Sequence, residues 1–293
     1  MTIVDCDEPS AELGELIRLE PVHALIDFFH IVHLGPPCRV DPAATTIFAW
    51  EARGRISCGL PILKSPCYRH AMIADPAAFI RTNTRLLSPP LTPEIKLHLA
   101  EESLPIWQKT EEELGEINVP PPYWAFAWAG GQALSRYILD NPTLVAGRSV
   151  LDLGAGSGLQ AIAAAKAGAA RVLAADIDWI ALAACDLNAA ANGVSFETTA
   201  ENLLGQPLPQ HFDIILVGDL FYERQLAEHV LATIEPAATA GSLILIGDPQ
   251  RNYFPKGHFE EAARYEVPVT RELEDALIKR TAVWRLGRMP STA

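Results

Sequence analysis

Three glycines at alternate positions, Gly154, Gly156 and Gly158, are the feature that most constrains this chain. They follow the apolar run 150–153 and precede an alanine-rich run that ends at Gly168. Glycine allows the backbone to approach a ligand closely, because no Cβ intervenes. A helix that starts directly behind such a turn offers free N–H groups and the positive end of its dipole. The stretch therefore predicts a strand, a ligand-binding turn and a helix.

The spacing of these glycines separates two classes of cofactor. Dinucleotide-binding turns require G-x-G-x-x-G, whose third glycine falls at position 159, where this chain has leucine. The spacing here is G-x-G-x-G, and Asp152 stands two residues before the first glycine. This pattern favours S-adenosylmethionine (SAM), which has no pyrophosphate to hold. We expect Asp152, Gly154, Gly156 and Gly158 to bind SAM, with an ordinary tight turn as the alternative.

The next predicted strand, 171–178, supplies a second cofactor signal. It contains Asp176, about 20 residues beyond the glycine turn, where nucleotide-binding βαβ units hold ribose hydroxyls. The alternative is that an acid here only caps the next helix, 180–192. Asp178 suits that capping role, which leaves Asp176 as the predicted ribose ligand.

Composition and charge exclude several functional classes. The chain has 293 residues and a net charge of −13, which argues against broad binding to nucleic-acid phosphates. No run approaches the roughly 18 apolar residues of a membrane span, and the acidic N-terminus lacks signal-peptide features. Five cysteines without a C-x-x-C pair favour a reduced setting and no metal site. We therefore expect a cytoplasmic protein without nucleic-acid or membrane partners.

The chain divides into three parts by composition. Residues 1–71 contain four of the five cysteines and show little periodicity, so we expect a loosely ordered extension. We hypothesise that translation starts at Met72. Residues 72–119 have a helical pattern, with one helix predicted to begin at Thr92. Residues 120–293 form the predicted SAM-binding domain.

Aromatic side chains are dense in segment 120–140, directly before the glycine strand. Trp128 lies closest to a helix predicted to start near Gly130. Such a segment can fold over the cofactor, and an aromatic face attracts a sulfonium or ammonium by cation–π interaction. Core packing is the alternative for these rings. We expect Trp128 to flank the cofactor.

The strand pattern predicts a Rossmann-like α/β fold with helices on both faces of a seven-stranded sheet. The apolar run in segment 212–223 indicates a strand buried on both faces. The predicted strands are 150–153, 171–178, 194–202, 212–223, 242–249, 265–269 and 280–287.

Polar residues follow several of these strands. Ligands of open parallel sheets lie beyond the carboxyl ends of the strands. Asn202 is placed there to hydrogen-bond an adenine edge, although a plain loop residue is equally consistent with the pattern. Asp219, Phe221 and Tyr222 follow the fourth strand, and Asp248 ends the fifth. We expect all five at the same rim as the glycine turn.

The glycine turn, Asp176 and the Asp-x-x-Tyr tetrad at 219–222 together resemble the seven-β-strand, SAM-dependent protein-lysine methyltransferases. Three segments narrow the resemblance: PPYWAFAWAGGQALSRYILD, GDLFYE and IGDPQR. They are similar to the group that acts on the β-subunit of electron transfer flavoprotein. The resemblance covers about 76–287. It implies a class I methyltransferase sheet, SAM as cofactor and a protein substrate that presents a lysine.

The resemblance also implies roles for the rim residues. Asp219 and Tyr222 would be the catalytic pair that handles the lysine, with Asp219 also near the cofactor. Phe221 and Asp248 would contact the substrate. A lysine with a pKa of about 10.4 must lose its proton before it attacks, and a nearby acid opposes that loss. We therefore interpret Asp219 as a group that captures and orients the amine, and not as a general base.

Other functions remain open from the sequence alone. A ribosomal-protein methyltransferase shares the glycine strand and the Asp-x-Asp strand, but is expected to carry an Asn-rich tetrad where this chain has DLFY. A small-molecule methyltransferase and a SAM-binding protein without catalysis are further alternatives. A nicotinamide oxidoreductase is disfavoured by the glycine spacing.

Overall fold

The computed structural model describes residues 75–100, 121–269 and 277–286. In chain order the elements are α1 (Pro76–Asn83), β1 (Arg85–Leu87), β2 (Leu97–Leu99), α2 (Ala129–Asp140), β3 (Ser149–Leu153), α3 (Leu159–Lys166), β4 (Arg171–Ala175), α4 (Trp179–Ala191), β5 (Glu197–Thr199), β6 (Ile214–Gly218), α5 (Arg224–Thr239), β7 (Leu243–Asp248), β8 (Glu260–Pro268) and β9 (Ile278–Leu286). None of these helices is long and apolar enough to cross a membrane. The hypotheses on residues 1–71 and Met72 lie outside the described residues and stay predictions.

The central sheet has seven strands in the order β5-β4-β3-β6-β7-β9-β8. Strands β3 to β7 are parallel, and β9 is antiparallel to both of its neighbours. At the centre of the sheet, Leu151 of β3 pairs with Leu173 of β4 on one side and with Ile215 of β6 on the other. The predicted Rossmann-like, seven-stranded α/β sheet is confirmed.

The strand order changes direction between β3 and β6. After β3 the chain builds β4 and β5 on one side, and then returns to place β6 on the other. Open α/β sheets bind ligands at such a switch point, beyond the carboxyl ends of the strands. Because β3 ends just before Gly154 and β6 ends just before Asp219, the fold brings the glycine turn and Asp219 to one edge.

Helices cover both faces of the sheet and bury its side chains. In β6, Ile214 and Leu216 pack in the cluster with α2 and α3, whereas Ile215 and Val217 pack in the cluster with α5. All four side chains are fully buried. This explains the continuous apolar run of the strand, since neither face meets water.

A pair of glycines fixes the position of α2 on the sheet. A Cβ on Gly130 would lie 2.0 Å from the carbonyl oxygen of Gly247 in β7, and a Cβ on Gly247 would lie 2.0 Å from the carbonyl oxygen of Gly130. Only glycine at both positions permits this backbone approach. The contact holds the N-terminus of α2 over the carboxyl ends of β6 and β7.

The helix predicted to begin at Thr92 is wrong. The chain forms the short antiparallel pair of β1 and β2 there, and Thr92 lies in the turn, where its N–H donates to the Pro89 carbonyl (3.1 Å). Pro89 and Pro90 have no backbone N–H to donate to a strand ladder, so they suit the turn between the two strands. Ile95 and Leu97 are fully buried in the core cluster that includes α2. Residues 101–120 lie outside the described part.

Candidate cofactor and lysine site

The glycine turn requires glycine for backbone reasons. Gly154, Gly156 and Gly158 have φ values of +65°, +51° and +76°, which side-chain-bearing residues rarely adopt. A Cβ on Gly154 would lie 2.9 Å from a Leu220 methyl carbon, and one on Gly158 would lie 3.0 Å from Cys185 Sγ. Gly158 is the N-cap residue of α3. The turn therefore stays close to the sheet and leaves a concave backbone surface in front of α3.

Asp152 lies beneath this turn and not on its open surface. Its side chain is fully buried, and Oδ2 accepts a hydrogen bond from the Ala161 N–H in the first turn of α3 (3.0 Å). Within the described residues, Oδ1 has no hydrogen-bond partner. Burial raises the pKa of Asp152 to about 8. The carboxyl group joins β3 to α3, so its effect on a cofactor acts through the shape of the turn.

Asp176 braces the glycine turn from β4. Its Oδ2 accepts from the Gly156 N–H (2.8 Å), and its Oδ1 accepts from the Asp178 N–H (2.9 Å). A carboxylate has about four acceptor sites, so capacity for ribose hydroxyls remains. Burial raises the pKa of Asp176. Asp178 caps α4 by accepting from the Ile180 N–H (2.8 Å), as the sequence indicated.

A cleft of about 330 Å³, counted with its solvent-open part, separates the glycine turn from the N-terminus of α2. Backbone forms one side and aromatic rings form the other. The lining residues are Tyr123, Phe126, Trp128, Gly131, Gly154, Ala155, Gly156, Ser157, Leu159, Gln160, Gly218 and Asp219. The cleft combines close backbone access with an apolar wall, which suits an adenosyl ligand.

Trp128 forms part of the aromatic wall. It is the N-cap residue of α2, and its indole Nε1–H donates to the Tyr123 carbonyl (3.0 Å). Its ring lies 6.0 Å from that of Tyr123 and 5.9 Å from that of Phe126. These contacts hold the half-buried indole at the mouth of the cleft, and its role beside the cofactor stays a prediction.

Asp219 is engaged by two partners. Its Oδ2 accepts from the Gly131 N–H in the first turn of α2 (2.8 Å), and its Oδ1 accepts from Arg251 Nη2 (2.7 Å) and Nε (3.1 Å). The backbone of Asp219 has a φ of +59°. A carboxylate at this position could also cap α5, the helix that follows it, but the N-cap residue of α5 is Glu223. The Asp219 carboxylate contacts α2 instead, 88 residues away in sequence.

Arg251 is the residue of this site that the sequence analysis missed. Its guanidinium lies 5.4 Å from the centre of the Trp128 ring, and its backbone N–H donates to Asp248 Oδ1 (2.7 Å). The side chain is 11% exposed. The signal was present, because Arg251 ends the segment IGDPQR that carried part of the resemblance. A long-range pairing with Asp219 could not be read from that segment.

Tyr222 and Phe221 take opposite positions. The Tyr222 ring is 6.0 Å from that of Tyr123, near the cleft, whereas the Phe221 side chain is fully buried. Phe221 packs on Phe254 and Phe259, with ring centres 5.4 and 6.1 Å away. The expected substrate contact of Phe221 does not fit this position, and we assign its ring to the core. Burial, with smaller contributions from nearby acids, raises the pKa of Tyr222 to about 12, so the phenol stays protonated.

Two further predicted residues are occupied by local contacts. Asn202 is exposed, and its Oδ1 accepts from the Leu204 N–H (3.1 Å) within its own loop. Asp248 is fully buried and holds the backbone of Arg251, so its position does not suit direct substrate contact. Burial raises the pKa of Asp248 to about 7, and the charge of Asp219 adds to this increase.

Comparisons with known proteins identify the family. The model of ribosomal protein L11 methyltransferase (PrmA) matches residues 132–246. The electron transfer flavoprotein beta subunit lysine methyltransferase of Rattus norvegicus is 37% identical over 243 residues, which cover 80% of this chain and 93% of that protein. The Homo sapiens protein of the same name is 38% identical over 214 residues, 71% of this chain and 80% of that protein. Among solved structures, the match to the ribosomal protein L11 methylase of Lactobacillus delbrueckii subsp. bulgaricus covers 69% of this chain and 100% of the methylase. The two are 20% identical, and the TM-score is 0.43.

The cofactor is SAM, as these methyltransferase matches establish. The residues of the cleft fit it. A Cβ at Gly154 would press on Leu220, so the cradle is kept open by the absence of side chains. Asp176 retains acceptor capacity beside that cradle, and Trp128 offers an aromatic face at its mouth.

The relatives are matched over most of their own length and most of this chain, at well above 30% identity. The protein is therefore a SAM-dependent methyltransferase, and the chain belongs to the family of electron transfer flavoprotein beta subunit lysine methyltransferases.

Proposed function

We propose that this enzyme methylates lysine side chains on the β-subunit of electron transfer flavoprotein. Relatives that match most of the chain are named for that substrate. The structural observation that supports the proposal is the grouping of Asp219, Trp128 and Tyr222 at the edge that also carries the glycine turn. A carboxylate and aromatic rings beside the cofactor cleft suit the ammonium and the methylated ammonium forms of lysine.

The roles of the cleft residues follow from their positions. Gly154 and Gly156 present backbone to the cofactor, and Asp176 accepts from its ribose hydroxyls. Trp128 flanks it. Asn202 stays our proposed contact for the adenine edge, although its carboxamide oxygen also serves its own loop.

When bound, SAM supplies an electrophilic methyl group. The rim residues bring the substrate amine in line with that group, and alignment of this kind supplies much of the rate increase. Tyr222 cannot accept the lysine proton at neutral pH as a phenolate, because its pKa is about 12. Asp219, already held by Arg251 and α2, orients the amine. The lysine proton leaves to water.

A comparison of two candidate substrates tests the proposed function. Purified enzyme and SAM are incubated with electron transfer flavoprotein, and the β-subunit is analysed by peptide mass spectrometry. We expect added methyl groups on lysine. Ribosomal protein L11 is the second candidate, since the L11 methyltransferase model matches residues 132–246. Methylation of L11 but not of the β-subunit would favour that candidate and refute the first.

Variants of the rim test the assignment of the lysine site. Asp219→Asn should reduce methylation at least a hundredfold while SAM affinity by calorimetry changes only a few-fold. Tyr222→Phe should be milder, because its ring remains. Glu228→Gln, at an exposed position on α5, is the matched control and should behave as wild type. Near wild-type turnover of Asp219→Asn would exclude Asp219 from the lysine site.

A further inference from the structure

The charge of Asp219 is compensated within the protein. Arg251 contacts its Oδ1 with two nitrogens, at 2.7 and 3.1 Å, and the Gly131 N–H contacts Oδ2 at 2.8 Å. The side chains of Asp219 and Arg251 are 9% and 11% exposed. A substrate ammonium at this rim therefore meets an ion pair and not an isolated carboxylate.

This compensation matters because of the chemistry of lysine. A carboxylate within about 4–6 Å of an amine favours its charged, unreactive form, whereas a nearby cation favours the neutral form. An uncompensated Asp219 would bind the ammonium well and would also hold it in the state that cannot attack. A guanidinium keeps its charge at every pH of interest, so it is suited to offset that effect.

Three contacts hold Arg251 in place, two at its guanidinium and one at its backbone. Asp219 contacts its nitrogens, the Trp128 ring lies 5.4 Å away, and Asp248 accepts from the backbone N–H of Arg251. Asp219 and Gln250 are the only non-glycine residues with positive φ in the described part of the chain. Strained backbone of this kind persists only where surrounding contacts impose it, and it is concentrated at functional sites.

We propose that Arg251 is a positioning residue that offsets the charge of Asp219, so that the substrate lysine is bound as the neutral amine. The inference rests on the proposed function, which places the lysine beside Asp219. Other ionisable groups interact with this pair. They are Asp248 on β7, which interacts with both members, and Tyr222 after β6, which interacts with Arg251 and with the acids Glu223 and Asp176.

The pH dependence of the methylation rate tests the proposal. Single-turnover rates on electron transfer flavoprotein are measured from pH 6 to 10 at saturating SAM for wild type, Arg251→Gln and Arg251→Lys. For Arg251→Gln we expect the midpoint of the acidic limb to move up by about one pH unit, with a roughly tenfold rate loss at pH 7 that narrows at high pH. Arg251→Lys keeps the charge and should keep a midpoint close to that of wild type.

A double variant separates charge from structure. Asp219→Asn/Arg251→Gln removes both charges, so its midpoint should return toward that of wild type although its rate is low. This variant also serves if Arg251→Gln alone does not fold. An equal rate loss at every pH for Arg251→Gln, with no shift of its midpoint, would overturn the proposal. Where that protein does not fold, a midpoint of the double variant shifted away from that of wild type would overturn it. Absence of β-subunit methylation by wild type would instead refute the proposed function, and this inference with it.

Discussion

Asp219 and Arg251 form a buried ion pair whose two members depend on each other. Loss of one partner of such a pair typically destabilises a protein by 3–5 kcal/mol, because the other charge stays buried and unpaired. The sequence alone shows no partner for the Asp219 carboxylate. The structure gives it contacts with Arg251 and with α2, so its replacement affects stability as well as activity.

We therefore predict that Asp219→Asn lowers the free energy of unfolding by about 3 kcal/mol. Urea denaturation followed by fluorescence measures the loss. In the double variant Asp219→Asn/Arg251→Met the buried charge is absent, so the loss should be smaller than in Asp219→Asn alone. A single-variant loss below about 1 kcal/mol would show that the ion pair does not stabilise the fold.

Asp176 has both a structural and a ligand-binding role in this account. Asp176→Ala removes the acceptor for the Gly156 and Asp178 N–H groups as well as for the ribose. We expect SAM affinity by calorimetry to fall at least tenfold, since hydrogen bonds to a charged group contribute about 1.5–3 kcal/mol each. Asp186→Ala, an exposed acid on α4, is the control. Affinity of Asp176→Ala within twofold of wild type would remove the ribose assignment.

At the scale of elements, the packing of α2 on β7 decides where the cleft lies. Gly130→Ala places a Cβ 2.0 Å from the Gly247 carbonyl, and neither backbone can move without shifting the helix. We predict a loss of about 3 kcal/mol or more in stability. Gly131→Ala is the neighbouring control, because its Cβ would lie 3.4 Å from Gln160 Oε1, and its cost should stay within about 1 kcal/mol. Similar unfolding midpoints for the two variants would contradict the close approach.

The buried Asp152 carboxyl group, which links β3 to α3 by a hydrogen bond, should make the stability of the protein depend on pH. The pKa of this acid is about 8 in the folded chain and near 4 when unfolded, so the folded state binds the proton more tightly. Its contribution to stability is present below pH 4 and is lost as the pH rises toward 8. Asp248, with a pKa of about 7, acts in the same direction.

Asp152→Asn imitates the protonated acid and should remove part of this dependence. Urea unfolding at pH 5.5 and 8.0 should show a smaller fall in stability for Asp152→Asn than for wild type, by about 1 kcal/mol or more. Asp186→Asn provides the matched exposed control. Identical falls in Asp152→Asn and wild type would mean that Asp152 is ionised in the folded protein.

The pattern along the chain predicted the elements of the sheet more reliably than those before it. Buried parallel strands such as 214–218 are continuous apolar runs, and their alternation with helices indicates a parallel sheet. The segment at Thr92 was misassigned because a threonine-proline pair fits both a helix start and a turn. Burial of Ile95 and Leu97 against α2, a contact distant in sequence, decides between these two structures.

For the whole molecule, topology explained which predicted site residues meet. The glycine turn, Asp176 and Asp219 all follow parallel strands, so the carboxyl edge of the sheet collects them. Side-chain direction within a loop is not specified in this way. Phe221 turned to the core, and the pairing of Asp219 with Arg251 spans 32 residues, so neither could be inferred from spacing.

The most direct test of this account is a crystal structure of the enzyme with bound S-adenosylhomocysteine. We predict that the ribose hydroxyls lie within hydrogen-bond distance of Asp176, with the adenosyl group against Gly156. The sulfur should face the rim formed by Asp219, Arg251 and Tyr222. Binding of the ligand elsewhere, such as the polar cavity lined by Asp248, Gln250, Arg264 and Arg280, or a sulfur turned away from Asp219, would contradict it.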